Sequence, residues 1–164
     1  MVVGSGGAGK TWLAREIAAR TGVPVIHLDA LFWQPGWVET PRERFREAQR
    51  EALAGPDWVV DGNYRGTLDE RLPLADVVVL LDYSRLTCLL GVVVRWLRHR
   101  GKTRPDMAPG CPEHLELGFL RYIWAYPRSH RPSVLAKVHA FGKDDALVRL
   151  RNRREAREWL STLG

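Results

Sequence analysis

An α/β fold in three layers, with a parallel sheet between helices, is predicted by three observations on this sequence. Short β-branched apolar runs alternate with amphipathic stretches along the whole chain. Helix-capping and helix-stopping residues separate the two kinds of segment. A glycine-rich stretch, Gly4-Ser5-Gly6-Gly7-Ala8-Gly9-Lys10-Thr11, joins the first apolar run to the first amphipathic one. Alternation of this kind sets the strands parallel and links them by right-handed helical crossovers. A length of 164 residues, 45% of them hydrophobic and 27% charged, suits a single domain, residues 1–164, around one continuous core.

Five runs read as short strands: 1–3, 25–28, 58–60, 77–81 and 146–150. Between them, residues 11–20 form a helical pattern that closes at Gly22. Thr40-Pro41-Arg42-Glu43 has the form of a capping box with proline at the first helical position, and opens a helix to about residue 54. Further helices are expected over 85–100, stopped by Gly101, over 113–125 and over 132–141, and a last one capped by Asn152. Two segments rich in proline and glycine, 32–37 and 101–113, interrupt the alternation and are expected to be loops that leave the core, the second of them mobile.

The glycine-rich stretch fits GxxxxGK[ST] at every fixed position and lies between a strand and a helix, the context that pattern requires. Its glycines allow successive backbone N–H groups to curl around phosphate oxygens at the positive end of a helix. Gly4, Gly6, Gly7, Ala8, Gly9, Lys10 and Thr11 are therefore the candidate nucleotide-binding set, with Lys10 on the outer phosphates of ATP and the Thr11 hydroxyl on Mg²⁺. A carboxylate at a strand end should complete the metal site. Asp61, after Trp58-Val59-Val60, is the candidate, holding Mg²⁺ through water, with Gly62 leaving room beside it. Asp29, at the end of a second strand, is the candidate to accept or orient an acceptor's proton, while His27 reads as an ordinary strand residue. Phe32, Trp33 and Trp37 are candidates for the wall of an acceptor pocket.

Arginines flank the second loop. Arg95, Arg98 and Arg100 precede it, Lys102 and Arg104 lie within it, and Arg128 and Arg131 follow. A loop with cations at both hinges can close over a nucleotide, exclude water and neutralise charge on a transferring phosphoryl group. Arg154 and Arg157, on the last helix, read as a solvated face.

The net charge of +6 points to an anionic partner or to a basic surface, and alone does not choose between them. Cys88 and Cys111 have neither zinc-site nor disulfide-framework spacing, so reduced thiols are expected. The longest apolar runs fall far short of the roughly 20 residues that cross a bilayer. No basic leader with an apolar core precedes the glycines, and a cytoplasmic location without membrane contact is expected.

These motifs resemble the small P-loop kinases related to adenylate kinase. The likeness rests on "GSGGAGKT", on "DGNYR" in the place of that family's DG motif, and on an arginine-flanked insert, and it covers nearly the whole chain. "HLDALFWQPGW", "VVDGNY", "GKTRPDMAPGCPE" and "YPRSHRP" are similar to the bacterial DNA topology modulation protein family. The resemblance implies a nucleoside-monophosphate-kinase-like fold with a five-stranded parallel sheet in order 2-3-1-4-5. It further implies an acceptor-binding region at about 29–56 and a lid at about 101–113. By position it makes Arg95 resemble the arginine stacked on adenine, and Arg128 and Arg131 resemble arginines that stabilise transfer. Arg65 would meet an acceptor phosphate. Asn63 and Tyr64 depart from the family's phenylalanine and proline. The expected activity is transfer of the γ-phosphoryl of Mg-ATP to a small hydroxyl or phosphate acceptor, catalysed through Lys10, Asp29, Arg128 and Arg131. A DNA-associated P-loop ATPase and a nucleotide-responsive binding module are the alternatives. The family name speaks of DNA, yet no helix-turn-helix, zinc finger or RNA-binding aromatic motif occurs in the sequence.

Overall fold

A computed structural model describes residues 1–163. Five parallel strands form the central sheet: β1 (Val2–Gly4), β2 (Val25–His27), β5 (Val59–Asp61), β6 (Val78–Leu81) and β7 (Leu147–Leu150). They stand in the order β2-β5-β1-β6-β7. This 2-5-1-6-7 order replaces the 2-3-1-4-5 order expected above. The difference is a two-stranded antiparallel hairpin, β3 (Trp33–Gln34) and β4 (Val38–Glu39), which adds two strands to the chain and none to the sheet.

Strand side chains alternate between faces, and the core divides accordingly. Val2, Val59, Val79 and Leu81 point to one face, where they pack with Leu13, Ala14, Ile17, Cys88, Val92, Ile123, Ala156 and Leu160. Those residues belong to α1 (Lys10–Thr21), α5 (Arg85–His99), α6 (Leu117–Ser129) and α8 (Arg153–Leu160). Val3, Val60, Val78 and Leu80 point the other way, to Leu28, Phe45, Leu68, Val134 and Val138. These come from α2 (Leu28–Phe32), α3 (Arg42–Ala52), α4 (Leu68–Arg71) and α7 (Arg131–Ala140). Helices therefore cover both faces, which is why the strands read as continuous apolar runs.

Two expected helix starts are corrected. Thr40 does not cap α3, whose first turn follows Pro41 without a side-chain hydrogen bond. The Thr40 hydroxyl donates instead to the Leu31 carbonyl at 3.2 Å and accepts from Gln34, tying the hairpin to the helix. The helix expected from 113 begins at Leu117, because Glu113 is buried and ion-paired in the preceding segment.

The segment 101–113 is not a loose loop. Met107, Ala108 and Cys111 form a small buried cluster against Trp33 and Trp37 of the hairpin. Main-chain and side-chain bonds add to it: the Gly36 N–H donates to the Gly110 carbonyl at 2.9 Å, and the Trp37 indole N–H to the Pro112 carbonyl at 3.1 Å. The two segments that interrupt the sequence pattern are halves of one satellite core. No helix among the described residues is long and apolar enough to cross a membrane.

Candidate functional site

Four sheet strands deliver their C-terminal ends to one side of the molecule: Gly4 from β1, His27 from β2, Asp61 from β5 and Leu81 from β6. A cavity of about 1180 Å³ opens there. Ligands in open α/β sheets bind outside the carboxyl ends of the strands for this reason: helix N-termini and connecting loops converge on the same edge.

The glycine-rich loop forms one wall. Gly7 and Gly9 take positive φ values of 74° and 92°, a region that glycine enters without Cβ strain. Gly9 is the residue before α1, so the helix begins at Lys10 with its free N–H groups turned to the cavity side. Space is also restricted: a Cβ on Gly6 would lie 2.5 Å from the Phe119 ring. Gly6, Gly7, Ala8, Gly9, Lys10 and Thr11 line the cavity, whereas Gly4 is buried behind them. Its N–H donates to Asn63 Oδ1 at 2.9 Å and its carbonyl accepts from Asn63 Nδ2 at 2.6 Å, which fastens this loop to the one after β5.

Lys10 Nζ donates to the Ser5 carbonyl at 3.0 Å, and forms no ion pair within 4.0 Å among the described residues. Burial pushes its ammonium below the usual lysine range, partly opposed by Asp29 and Asp61. A part-buried cation with one neutral acceptor gains when an anion reaches it.

Asp61 is buried and meets His27 Nδ1 at 3.1 Å across the β2–β5 register, so His27 orients the carboxylate. Thr11 and Asp61 both line the cavity, and bring it a hydroxyl and a carboxylate. Magnesium is commonly held by one or two protein oxygens completed by phosphates and water, and this donor set fits that habit. No group of three or more His, Cys, Asp or Glu able to hold a metal occurs among the described residues.

Asp29, in the first turn of α2, lines the same cavity. Its Oδ1 accepts from the Tyr64 hydroxyl at 2.7 Å, and its Oδ2 lies 3.9 Å from Arg104 Nη2. Arg104 is 7% exposed and also pairs with Asp106 and, at 2.7 Å, with Glu113. Glu113 in turn accepts from Arg95 Nε at 2.9 Å. Arg95 reaches the cavity and lies over the Phe119 ring at 5.7 Å; burial first, and Arg104 second, push its guanidinium below the ordinary arginine range. Trp33 and Trp37 line the cavity, whereas Phe32 lines a separate, smaller one; Arg65 lines the larger cavity too, exposed and without an ion pair among the described residues.

Arg128 and Arg131 do not line the cavity. Arg128 is exposed on α6, and Arg131 donates to Asp82 at 2.9 Å, where Arg149 also binds. Asp82 is 7% exposed on its side chain; burial works against its ionisation, but these two guanidiniums hold its carboxyl below the usual range. That pairing keeps Arg131 at the sheet edge. Of the two α8 arginines expected to be solvated, Arg154 is exposed and pairs with Glu158, whereas Arg157 lines the cavity together with Arg153.

Sequence reasoning missed Asn63, Tyr64, Tyr122 and His130 as cavity residues. Tyr122 accepts from Asn63 Nδ2 at 3.1 Å and sits 4.5 Å from the His130 ring. "DGNY" alone carried a signal for the first two. Compared with known proteins, the chain matches no family model and no curated protein.

Proposed function

We propose that the chain is a small-molecule kinase that moves the γ-phosphoryl of Mg-ATP to a hydroxyl or phosphate acceptor. The observation that carries this reading is the part-buried ammonium of Lys10, with no carboxylate within 4.0 Å among the described residues, at the start of a helix whose preceding loop matches a phosphate-binding pattern.

In this reading the loop amides and Lys10 hold the phosphates, and Thr11 with Asp61 would hold magnesium. The metal ion, when bound, neutralises charge that develops on the phosphoryl oxygens. Asp29 orients the acceptor hydroxyl and takes its proton. Arg65, on the same cavity, offers a cation to an acidic acceptor. The segment 101–113, seated on the hairpin, excludes water from the far side.

The test is ADP release with Mg-ATP against a panel of nucleosides, nucleotides and small alcohols. Acceptor-dependent release that Lys10→Ala abolishes supports the kinase. Release that needs DNA instead, and weakens steeply with salt, favours the DNA-associated ATPase. ATP binding without turnover under every acceptor favours a binding module.

A further inference from the structure

We infer that Tyr64 is the positioning residue for Asp29, its hydroxyl clamping one carboxylate oxygen so that the other is presented to the acceptor. The inference rests on the kinase reading above, and on four features of the structure that are independent of it.

First, the contact is direct: Tyr64 Oη to Asp29 Oδ1 is 2.7 Å, the length of a strong O–H···O⁻ bond. The Oδ2 atom accepts no hydrogen bond among the described residues; Arg104 Nη2 lies 3.9 Å from it, beyond a direct hydrogen bond.

Second, the ring cannot swing away. It is held between Phe32, tilted at 4.8 Å between centroids, and Phe45, edge-on at 4.9 Å, and those two rings also touch each other. A phenylalanine would satisfy this cluster equally; the hydroxyl is the surplus, and it points at Asp29.

Third, the backbone is held where a tyrosine does not ordinarily sit. Tyr64 has φ 29°, and the preceding Gly62 has φ 132°. Such conformations persist when surroundings over-determine them, and cluster at ligand sites. Here the surroundings are the Arg71 guanidinium, fully buried, which donates to three carbonyls in succession: Gly62 at 3.0 Å, Asn63 at 2.8 Å and Tyr64 at 3.3 Å. Arg71 thus fixes the whole turn after Asp61, and with it the direction of the phenol.

Fourth, burial first and the Asp29 charge second push the Tyr64 phenol far above the ordinary tyrosine range. It stays a donor at every working pH. The cations around Asp29 are Lys10 from α1, Arg95 from α5 and Arg104 from the 101–113 segment; the carboxylates that share them are Asp61 beside Lys10, and Asp106 and Glu113 on Arg104. None of them offers Oδ1 a bond of comparable length among the described residues. In the transfer step the acceptor O–H bond breaks, its oxygen bonds to phosphorus, the bond from phosphorus to ADP breaks, and the proton passes to Asp29. Tyr64 loses and gains nothing; it keeps the carboxylate in one rotamer.

Tyr64→Phe removes the hydroxyl and leaves the ring cluster intact. Two readouts decide. Three-bond NMR couplings of the Asp29 side chain should show one rotamer in the parent and averaging in Tyr64→Phe. Transfer should fall about tenfold in kcat with KM for ATP unchanged, and 4-aminophenylalanine at position 64, which restores a donor, should recover most of it. In an Asp29→Asn background Tyr64→Phe should cost nothing further, because it acts only through that carboxylate. A parent-like Asp29 rotamer in Tyr64→Phe, or an equal loss of rate in the Asp29→Asn background, overturns the inference. If the parent transfers phosphate to no acceptor, the kinase reading fails, and the couplings still decide whether Tyr64 positions Asp29.

Discussion

Gly7 and Gly91 meet backbone against backbone. A Cβ built on Gly91 would lie 2.2 Å from the Gly7 carbonyl oxygen, and one on Gly7 would lie 2.1 Å from the Cys88 carbonyl. The glycine-rich loop therefore rests directly on α5, in the middle of a helix where glycine is otherwise disfavoured. Alanine is the better helix former by about 1 kcal/mol, yet the clash is with main chain that cannot rotate aside. Gly91→Ala is expected to lower stability by about 1–3 kcal/mol, the usual cost of overpacking, and to weaken nucleotide binding. Denaturant melts and ATP titration check it; a stabilised variant with parent affinity would show that the contact is slack.

Lys10→Ala should abolish phosphate transfer while ATP affinity falls less, since the loop amides remain. The ratio of the two losses is read from kcat and from equilibrium binding. Parent kinetics in this variant would remove the ground for the kinase proposal.

Asp29→Asn nearly preserves size and should leave ATP binding intact, while transfer drops by roughly 10² to 10⁴, the range for a positioned base. Added Mg²⁺ should not restore it. Recovery with Mg²⁺ would reassign Asp29 to the metal.

The satellite core gives a packing prediction. Trp37→Ala deletes an indole that touches both Trp33 and His114, at 5.3 and 5.0 Å between centroids, and removes the bond to the Pro112 carbonyl. Hydrogen exchange across 101–113 should rise, with the β1 and β6 amides unchanged, because the cluster is separate from the main core. Unchanged protection of 101–113 would mean that the segment is held without Trp37, by the Arg104 ion pairs and the remaining contacts to the hairpin.

Glu70 ties α3 to α4. Arg50 donates to both of its oxygens, at 2.8 and 2.9 Å, and Arg46 donates as well. Hydrogen bonds from Arg50 first, against a burial cost, and then from Arg46 hold its carboxyl down to about 2, from an ordinary 4.5. A depressed carboxylate stabilises the fold above its unfolded value and loses that contribution as pH falls towards the folded one. The melting temperature should accordingly drop between about pH 4.5 and 2, with a shallower slope in Glu70→Gln. Identical slopes would assign acid unfolding to other carboxylates.

What the sequence revealed and what it hid divide along one physical line. The strands, the loop ahead of α1 and the placement of Asp29 and Asp61 depend on neighbours in the chain, and periodicity or a local motif exposes them. Arg104, Arg131 and Thr40 depend on partners far along the chain. A basic residue in a proline-rich stretch gives no sign that Asp29, Asp106 and Glu113 will enclose it. "VVVLLD" reads as a strand ending in a carboxylate, but that Asp82 would take Arg131 away from the cavity follows only from the position of α7 beside β6. Gly91, mid-helix, is explained only by the loop that presses on it.

Because Met107, Ala108 and Cys111 pack against Trp33 and Trp37, residues 32–37 and 101–113 form a single unit of exchange. Grafting either one from a different protein would leave half of an apolar seam facing water. A change in the length of one would need a matching change in the other. Engineering of this wall of the cavity therefore has to treat two stretches, remote in the chain, as a single cassette.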